Sequence, residues 1–227
     1  MKILGIDTTT KFLCIGAYDN GKIYEYNMEL FRLQSAFLIP TLEMILKALN
    51  WDIGKIDYFA CGLGPGSFTG IRIGLSTIKA FAWSQNKQII GIPSLDILAN
   101  NYIEADKIIV PAIDAKRGQV FCSAYKNHAG VLKRIMPDML LSKNDFFKKI
   151  KPSSVVLGDA LELYKEEISK NISAVTLLDK DYWYPQAHNI IKLALENIKA
   201  KKFNSAFSIK PIYLYPDACQ IVDAVRK

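Results

Sequence analysis

The chain has 227 residues, of which 50% are hydrophobic, and a formal net charge of +7. This length allows one large domain or two small lobes, with enough apolar residues for a core in either case. No apolar run is long enough to cross a bilayer, so we expect no membrane span. The 4 cysteines are far apart and form no C-x-x-C pair. That pattern is typical of buried thiols in a reducing compartment and predicts a cytoplasmic protein.

The first part of the chain predicts three strands, a helix, and then two further strands that alternate with helices. Asp19-Asn20-Gly21 is typical of a tight hairpin turn. The first helix has an apolar stripe from Ile39 to Leu49, with Ser35 as its predicted N-cap, and Pro40 either starts or kinks it. The predicted strands are 2–6, 12–18, 22–27, 56–62 and 88–92, and the helices are 35–50, 70–85 and a short one capped by Ser94.

The same order then restarts in the second part. The predicted strands there are 107–114, 119–126, 131–136 and 154–157, and the helices are 142–150, 159–171 and 185–201. The order βββαβα followed by a shorter βββαβα indicates an internal duplication. This is the layout of the actin/Hsp70/sugar-kinase superfamily, an α/β fold of two ribonuclease-H-like lobes with mixed sheets. We expect a first lobe at 1–104, completed by 206–227, and a smaller second lobe at 105–205.

The segment Gly62–Gly74 is the most specific local pattern. Gly-Pro-Gly-Ser cannot continue a strand or a helix, because proline lacks an N–H and the glycines admit positive φ. We therefore predict a strand, a tight turn through Gly64 and Gly66, and a helix with Ser67 or Thr69 as N-cap. The turn is neither a Walker A loop nor a dinucleotide fingerprint, since the required Gly-Lys-Ser/Thr and acidic residue are missing.

Four segments in order resemble the TsaB (YeaZ) family. They are the opening strand with Asp7-Thr8-Thr9-Thr10, the glycine segment with Ser-Phe-Thr-Gly-Ile-Arg-Ile-Gly, the Asp114-Ala115-Lys116-Arg117-Gly118 turn, and the closing Pro-Ile-Tyr-Leu-Tyr. Together they span nearly the whole chain. Two positions depart from the family pattern: Tyr215 stands where arginine is usual, and Gln34 stands where many members carry histidine.

The resemblance implies a non-catalytic subunit, not an enzyme, that supports TsaD in tRNA threonylcarbamoyladenosine synthesis. Its implied partners are TsaD and the ATPase TsaE, with a homodimer when alone and tRNA reached only through the complex. No cofactor is implied. The predicted partner surface comprises Ser35, Leu38, Leu42, Gly70, Ile71, Gly74 and Ile78. The alternative for the two glycines is packing against the 35–50 helix. We expect Gly74→Leu to leave the chain folded or mildly destabilised and to abolish the complex with TsaD.

A cleft between the two predicted lobes is the candidate place for chemistry. In the superfamily a nucleotide is gripped by a turn from each lobe, here the turns that carry Asp7 and Thr8, and Asp114 and Arg117. Asp7 equally fits a structural role, in which it caps its own turn. His128 and His188 are the only histidines and are far apart, so we expect neither a metal site nor a Ser/His/Asp triad.

Two alternatives to the scaffold remain. One is a peptidase-like or ATPase activity in the cleft. The other is a stand-alone RNA-binding module, which the positive charge suggests. The basic residues are mostly scattered lysines, and the densest groups, at 148–151 and 199–202, fit solvated helix ends. There is no RNP-type aromatic strand and no arginine-rich arm, so the sequence does not favour direct RNA binding.

Overall fold

The structure is a computed structural model that describes residues 1–30, 33–104 and 106–216. Its strands are β1 Lys2–Asp7, β2 Phe12–Asp19, β3 Lys22–Glu29, β4 Tyr58–Gly62, β5 Gln88–Ile92, β6 Ile108–Lys116, β7 Gln119–His128, β8 Val131–Ser142, β9 Ser154–Leu157 and β10 Thr176–Leu177. Its helices are α1 Gln34–Ala48, α2 Phe68–Ser84, α3 Ser94–Ala99, α4 Lys143–Lys149, α5 Leu161–Asn171 and α6 Ala187–Lys199.

The strands form two five-stranded sheets that share one topology. The order is β3-β2-β1-β4-β5 in the first sheet and β8-β7-β6-β9-β10 in the second. In each sheet the first three strands of the repeat are antiparallel, and the last two run parallel to the first. The predicted internal duplication and the mixed two-lobe architecture are therefore confirmed.

Both faces of the first sheet are covered by helices. One face packs with Leu38 and Leu42 of α1 and with Leu75 and Ile78 of α2 in a single buried cluster. The other face packs against α6, where Ile190 lies among buried residues of β1, β4 and β5. The prediction placed α6 in the 105–205 lobe, whereas the helix contacts the first sheet. The division into domains otherwise stays a prediction.

The structure confirms some of the predicted turns and helix caps and contradicts others. Asn20 and Gly21 have φ of 45° and 98°, as the predicted hairpin turn requires. Ser67 caps α2 as predicted, with its side chain accepting from the Gly70 N–H. Ser35 is not a cap, because α1 begins at Gln34 and no side chain caps it. Ser94 is the first residue of α3 instead of its cap, and its hydroxyl bonds elsewhere.

The second sheet is longer than predicted. β8 continues to Ser142, past the predicted end at 136, because it stays paired with β7 through two register shifts. β10, a two-residue strand beside β9, was not predicted. Among the described residues, no helix combines the length and the apolar character that crossing a membrane would need.

Candidate functional site

The turn after β1 is a closed hydrogen-bond network around Asp7. One carboxylate oxygen accepts from the Thr9 N–H at 2.8 Å and from the Thr9 hydroxyl at 2.7 Å. The other accepts from the Ser94 hydroxyl at 3.0 Å, which in turn accepts from the Gly64 N–H at 3.1 Å. Burial raises the pKa of Asp7, although these hydrogen bonds oppose the shift. The structural role considered for Asp7, in which it caps its own turn, is thus observed.

The other threonines of this turn also face inward. The Thr8 hydroxyl donates to the Gly70 carbonyl oxygen at 2.6 Å, and the Thr10 hydroxyl accepts from the Phe12 N–H at 3.2 Å. Gln34, one of the two departures from the family pattern, donates from its side-chain amide to the Thr10 carbonyl oxygen at 2.9 Å. Gln34 therefore ties the start of α1 to the turn.

The glycine-rich loop (residues 62–67) and the start of α2 wrap closely around the same turn. The Ser67 N–H donates to the Thr9 carbonyl oxygen at 2.7 Å. A Cβ atom would lie 1.9 Å from the Asp7 carboxylate at Gly62, and 1.9 Å from the Thr8 carbonyl oxygen at Gly70. Gly66 likewise lies against the Thr9 backbone. These glycines are needed because the backbone of the turn occupies the space of their side chains.

The structure places most residues of the predicted partner surface inside the first lobe. Gly70, Ile71, Gly74 and Ile78 are buried against the first lobe, as are Leu38 and Leu42, and only Ser35 of the set is exposed. A Cβ at Gly74 would lie 2.5 Å from the Thr8 hydroxyl oxygen. A leucine at this position would therefore need the Thr8 side chain to shift, and the expected effect of Gly74→Leu stays a prediction. The two glycines pack on the turn after β1, not on α1 as the alternative supposed.

The exposed side of α1 and the start of α2 carry the apolar residues that a partner could reach. Within the described chain we define the outer helix face as Leu33, Phe37, Ile39, Met44 and Phe68, whose exposed fractions range from 38% to 55%. The helices α1 and α2 contact each other beneath it. Exposed large apolar residues grouped on neighbouring elements are typical of interaction sites.

Beside this face, α2 and the C-terminal segment form a shallow groove of about 560 Å³. The Arg72 guanidinium lies 3.8 Å from the Phe68 ring centre, and its Nε donates to the Tyr213 hydroxyl at 3.2 Å. The groove lining contains Arg72 and Lys79 and no carboxylate. It is therefore cationic and partly aromatic.

The turn after β6 is the counterpart of the Asp7 turn. Lys116, Arg117 and Gly118 have φ of 64°, 54° and 71°. The Asp114 carboxylate accepts from the Lys116 N–H at 2.8 Å and from its ammonium at 2.6 Å. No hydrogen bond joins Asp7 and Asp114 in the described part of the chain, since each carboxylate is satisfied within its own repeat.

Asp159, which was not singled out as a site residue, lies against this second turn. One of its carboxylate oxygens accepts from the Asp114 N–H at 2.8 Å. Burial raises the pKa of Asp159 to about 6, a shift that the hydrogen bond from Asp114 opposes and the negative charge of Asp114 favours. The signal that could have identified Asp159 is its position directly after Gly158 at the end of β9. The corresponding strand of the first repeat, β4, also ends at a glycine, Gly62.

The C-terminal segment joins the glycine-rich loop to the turn after β6. The Ile212 N–H donates to the Leu63 carbonyl oxygen at 2.8 Å, beside the glycine-rich loop. Three residues later the Tyr215 hydroxyl donates to the Ala115 carbonyl oxygen at 2.6 Å in the second turn. The Tyr215 ring also meets Phe121 edge-on with centres 5.7 Å apart. Tyr215, the second departure from the family pattern, thus anchors this segment to the second lobe.

The candidate nucleophiles of the described chain are buried thiols, whereas the two histidines lie at the surface. Cys14, Cys61 and Cys122 are buried, and burial raises the pKa of each thiol, that of Cys122 to about 12. These thiols are therefore protonated at neutral pH. His188 lies at the start of α6 with its Nδ1 2.9 Å from Glu25, and His128 ends β7 at a hairpin turn. Cys219 lies outside the described residues.

No group of three or more metal-ligating side chains is gathered in the ranges that the structure describes.

The repeated five-stranded topology defines a two-lobed protein of the actin/Hsp70/sugar-kinase class. The solved structure of YeaZ from Pseudomonas aeruginosa has the same fold, with a TM-score of 0.81 at 21% identity over 94% of this chain and 99% of that one. The family model described as TsaD, tRNA N6-adenosine threonylcarbamoyltransferase, matches residues 31–209.

Relatives at higher identity narrow this class. The chain is 32% identical over 172 residues to the tRNA threonylcarbamoyladenosine biosynthesis protein TsaB of Bacillus subtilis, covering 74% of this chain and 75% of the relative. It is 24% identical to the Escherichia coli protein of the same name, over 94% of each chain. The chain belongs to the TsaB (YeaZ) family, as its sequence motifs predicted.

Proposed function

We propose that the chain acts in tRNA threonylcarbamoyladenosine synthesis as a non-catalytic subunit that binds TsaD through its outer helix face. The relatives that carry the name of this process support the process itself. The observation that carries the scaffold role is the closed network around Asp7, which uses up the polar groups of the first turn. TsaE is the proposed third component, and tRNA is the proposed substrate of the assembled complex.

A nucleotide site needs donors and hydroxyls that face the cleft. In this chain the hydroxyls of Thr8 and Thr9 are both bonded inside the first lobe. The Asp7 carboxylate is buried among three donors, and its raised pKa reflects a site that disfavours charge. A phosphate would have to break this network to be bound there, and buried polar groups left without partners cost about 1–3 kcal/mol each.

The proposed partner surface follows from exposure. Burying the outer helix face against apolar side chains of TsaD would gain about 25 cal/mol for each Å² removed from water. Phe37 and Met44 are seven residues apart on α1 and therefore share one side of the helix. They are exposed by 42% and 52%, so both have area left to bury.

The test is co-purification of this chain with TsaD from the same organism. We expect Met44→Lys, and more strongly Phe37→Lys with Met44→Lys, to lower the amount of complex at least tenfold, because a charge would be buried in an apolar contact. Leu163→Lys is the matched control, since Leu163 on α5 is 59% exposed and lies in the second lobe. Equal complex with all variants would contradict the proposed surface.

The same proposal covers the isolated chain. The outer helix face should pair with a second copy when TsaD is absent, and sedimentation should then show a dimer that Met44→Lys dissociates.

A peptidase-like or ATPase activity is the alternative to the scaffold role. Calorimetry with magnesium-ATP should show no binding tighter than about millimolar, and a micromolar constant that Asp7→Ala abolishes would favour the alternative.

A further inference from the structure

The end of α2 and the segment after α6 meet at one edge of the first lobe. This edge lies at the opposite end of α2 from Phe68. The Lys87 N–H donates to the Ala82 carbonyl oxygen at 2.8 Å, which folds the chain back after α2. Ile89 and Asn204 exchange antiparallel backbone hydrogen bonds of 2.8 and 2.7 Å. This pair of bonds joins the segment that contains Lys87 to the segment that contains Phe207.

Two aromatic side chains stand out from the surface here. Phe207 is 82% exposed and Trp83 is 67% exposed, more than any other large apolar side chain in the described part of the chain. We define the basic–aromatic patch as these two residues together with four lysines of the two joined segments, which are Lys87, Lys199, Lys201 and Lys202. Exposing two rings in this way gains nothing for the fold, since they bury little area.

The patch is basic without local compensation. The segments 83–90 and 199–210 contain five lysines and no aspartate or glutamate. Within the described residues, none of the patch lysines forms an ion pair. The carboxylates on the neighbouring elements are Glu196, one turn before Lys199, Asp52, which accepts from the Gly54 N–H, and Asp57. Asp57 precedes Tyr58, the β4 partner of Gln88, and accepts from the Lys2 N–H.

The other dense lysine group has a different setting. Lys148 at the end of α4 is paired with Asp145 at 2.8 Å, and Lys143 is paired with Glu167. No large apolar side chain from 143 to 151 is among the exposed ones. The sequence treats 148–151 and 199–202 alike, whereas the structure places exposed aromatic rings beside only the second group.

We infer that the basic–aromatic patch binds RNA directly. Ammonium groups without carboxylate partners attract backbone phosphates, and exposed aromatic faces stack on unpaired bases. The inference rests on the proposed function in one respect, which is the choice of tRNA as the RNA that is bound. Trp83 lies fifteen residues from Phe68 on α2, which is roughly 22 Å along the helix. The patch therefore lies at the opposite end of α2 from Phe68, the α2 residue of the outer helix face.

The test is the affinity of an unmodified tRNA transcript for the full chain, alone and in complex with TsaD, at several salt concentrations. The first variant combines Lys87→Gln, Lys199→Gln and Lys202→Gln, and it leaves Lys201 in place because its φ is 54°. The control combines Lys148→Gln, Lys149→Gln and Lys151→Gln, which removes the same charge. Phe207→Ser and Trp83→Ser, together, test stacking.

We expect the patch triple variant to weaken binding about tenfold or more and to reduce the salt slope by about 2. We expect the aromatic double variant to weaken binding about fivefold or more with an unchanged slope. The control should keep nearly the wild-type affinity. Equal losses in the patch and control variants would overturn the inference. So would normal tRNA binding with lost TsaD binding, which would make the patch a protein interface. Loss of TsaD binding in Met44→Lys tests the proposed function separately.

Discussion

The turns after β1 and β6 hold the same position in the two repeats, and both begin with aspartate, but their chemistry differs. In the first, Asp7 is fully buried and three donors point at it. In the second, Asp114 pairs with the exposed Lys116, and its backbone N–H donates to the half-buried Asp159 on the neighbouring loop. The first turn has become part of the core, while the second remains at the surface. Duplicated topology therefore does not imply duplicated chemistry.

The glycine-rich segment explains the difference. Gly62, Gly70 and Gly74 let α2 and the loop before it approach the first turn so closely that Cβ atoms would overlap it. The second repeat has only Gly158 at the corresponding loop, followed at once by Asp159. Its turn is consequently not enclosed.

The largest effect is expected at Gly70. We expect Gly70→Ala to lower the free energy of unfolding by about 3 kcal/mol or more, because the new Cβ meets backbone that cannot move easily. Gly118→Ala is the matched variant in the second turn, where nothing lies within 4 Å of the added atom. It should cost about 1 kcal/mol, the penalty for a left-handed residue. Urea unfolding measures both, and equal costs would contradict an enclosed first turn.

The second prediction concerns the two aspartates. Asp7→Ala leaves the Thr9 N–H, the Thr9 hydroxyl and the Ser94 hydroxyl without their acceptor, so we expect a loss of about 3 kcal/mol. Asp114→Ala should cost no more than about 1 kcal/mol, since its partner Lys116 is largely exposed. Thermal and urea unfolding provide the comparison. A larger loss for Asp114→Ala would reverse our assignment of the buried network.

The third prediction is a pH dependence that originates in the second repeat. The pKa of Asp159 is about 6 in the folded chain and near 4 when unfolded. The folded state therefore holds the proton more tightly, and this contribution is complete below pH 4 and is lost as the pH rises to 6. Asp159→Asn should remove it, so that the variant gains about 1–3 kcal/mol relative to wild type between pH 4 and 7.

Asp145→Asn is the control for this titration. The ammonium of Lys148 lowers the pKa of Asp145, so its contribution has the opposite sign and is lost as the pH falls. Comparing unfolding free energies at pH 4.5 and 7.5 separates the two variants. A pH-independent difference between Asp159→Asn and wild type would show that Asp159 does not titrate as proposed.

Local sequence patterns predicted most of the elements and the repeated order, because hairpin turns, Ser67 capping and strand alternation depend on near neighbours. The burial of α1 was harder to predict. Its apolar residues lie on both sides of the helix, so Leu42 packs in the core while Ile39 and Met44 face solvent. Periodicity alone could not tell which side meets the sheet. The roles of Gln34 and Asp159 depend on contacts between distant segments, as does the packing of α6 on the first sheet.

The smallest predicted effect concerns the C-terminal segment, which contacts the glycine-rich loop and the turn after β6. Tyr215→Phe removes the hydrogen bond to the Ala115 carbonyl oxygen but keeps the ring against Phe121. We expect a loss of about 1 kcal/mol, the usual net value of such a bond. Tyr213→Phe is the matched control, because the Tyr213 hydroxyl bonds to Arg72 at an exposed site and should contribute less.

Hydrogen exchange at the Leu63 end of the C-terminal segment provides a second measurement. If Tyr215 anchors the segment, exchange of the Ile212 amide should accelerate in Tyr215→Phe and stay unchanged in Tyr213→Phe. Identical exchange in the two variants would mean that the glycine-rich loop holds this segment without help from the second lobe.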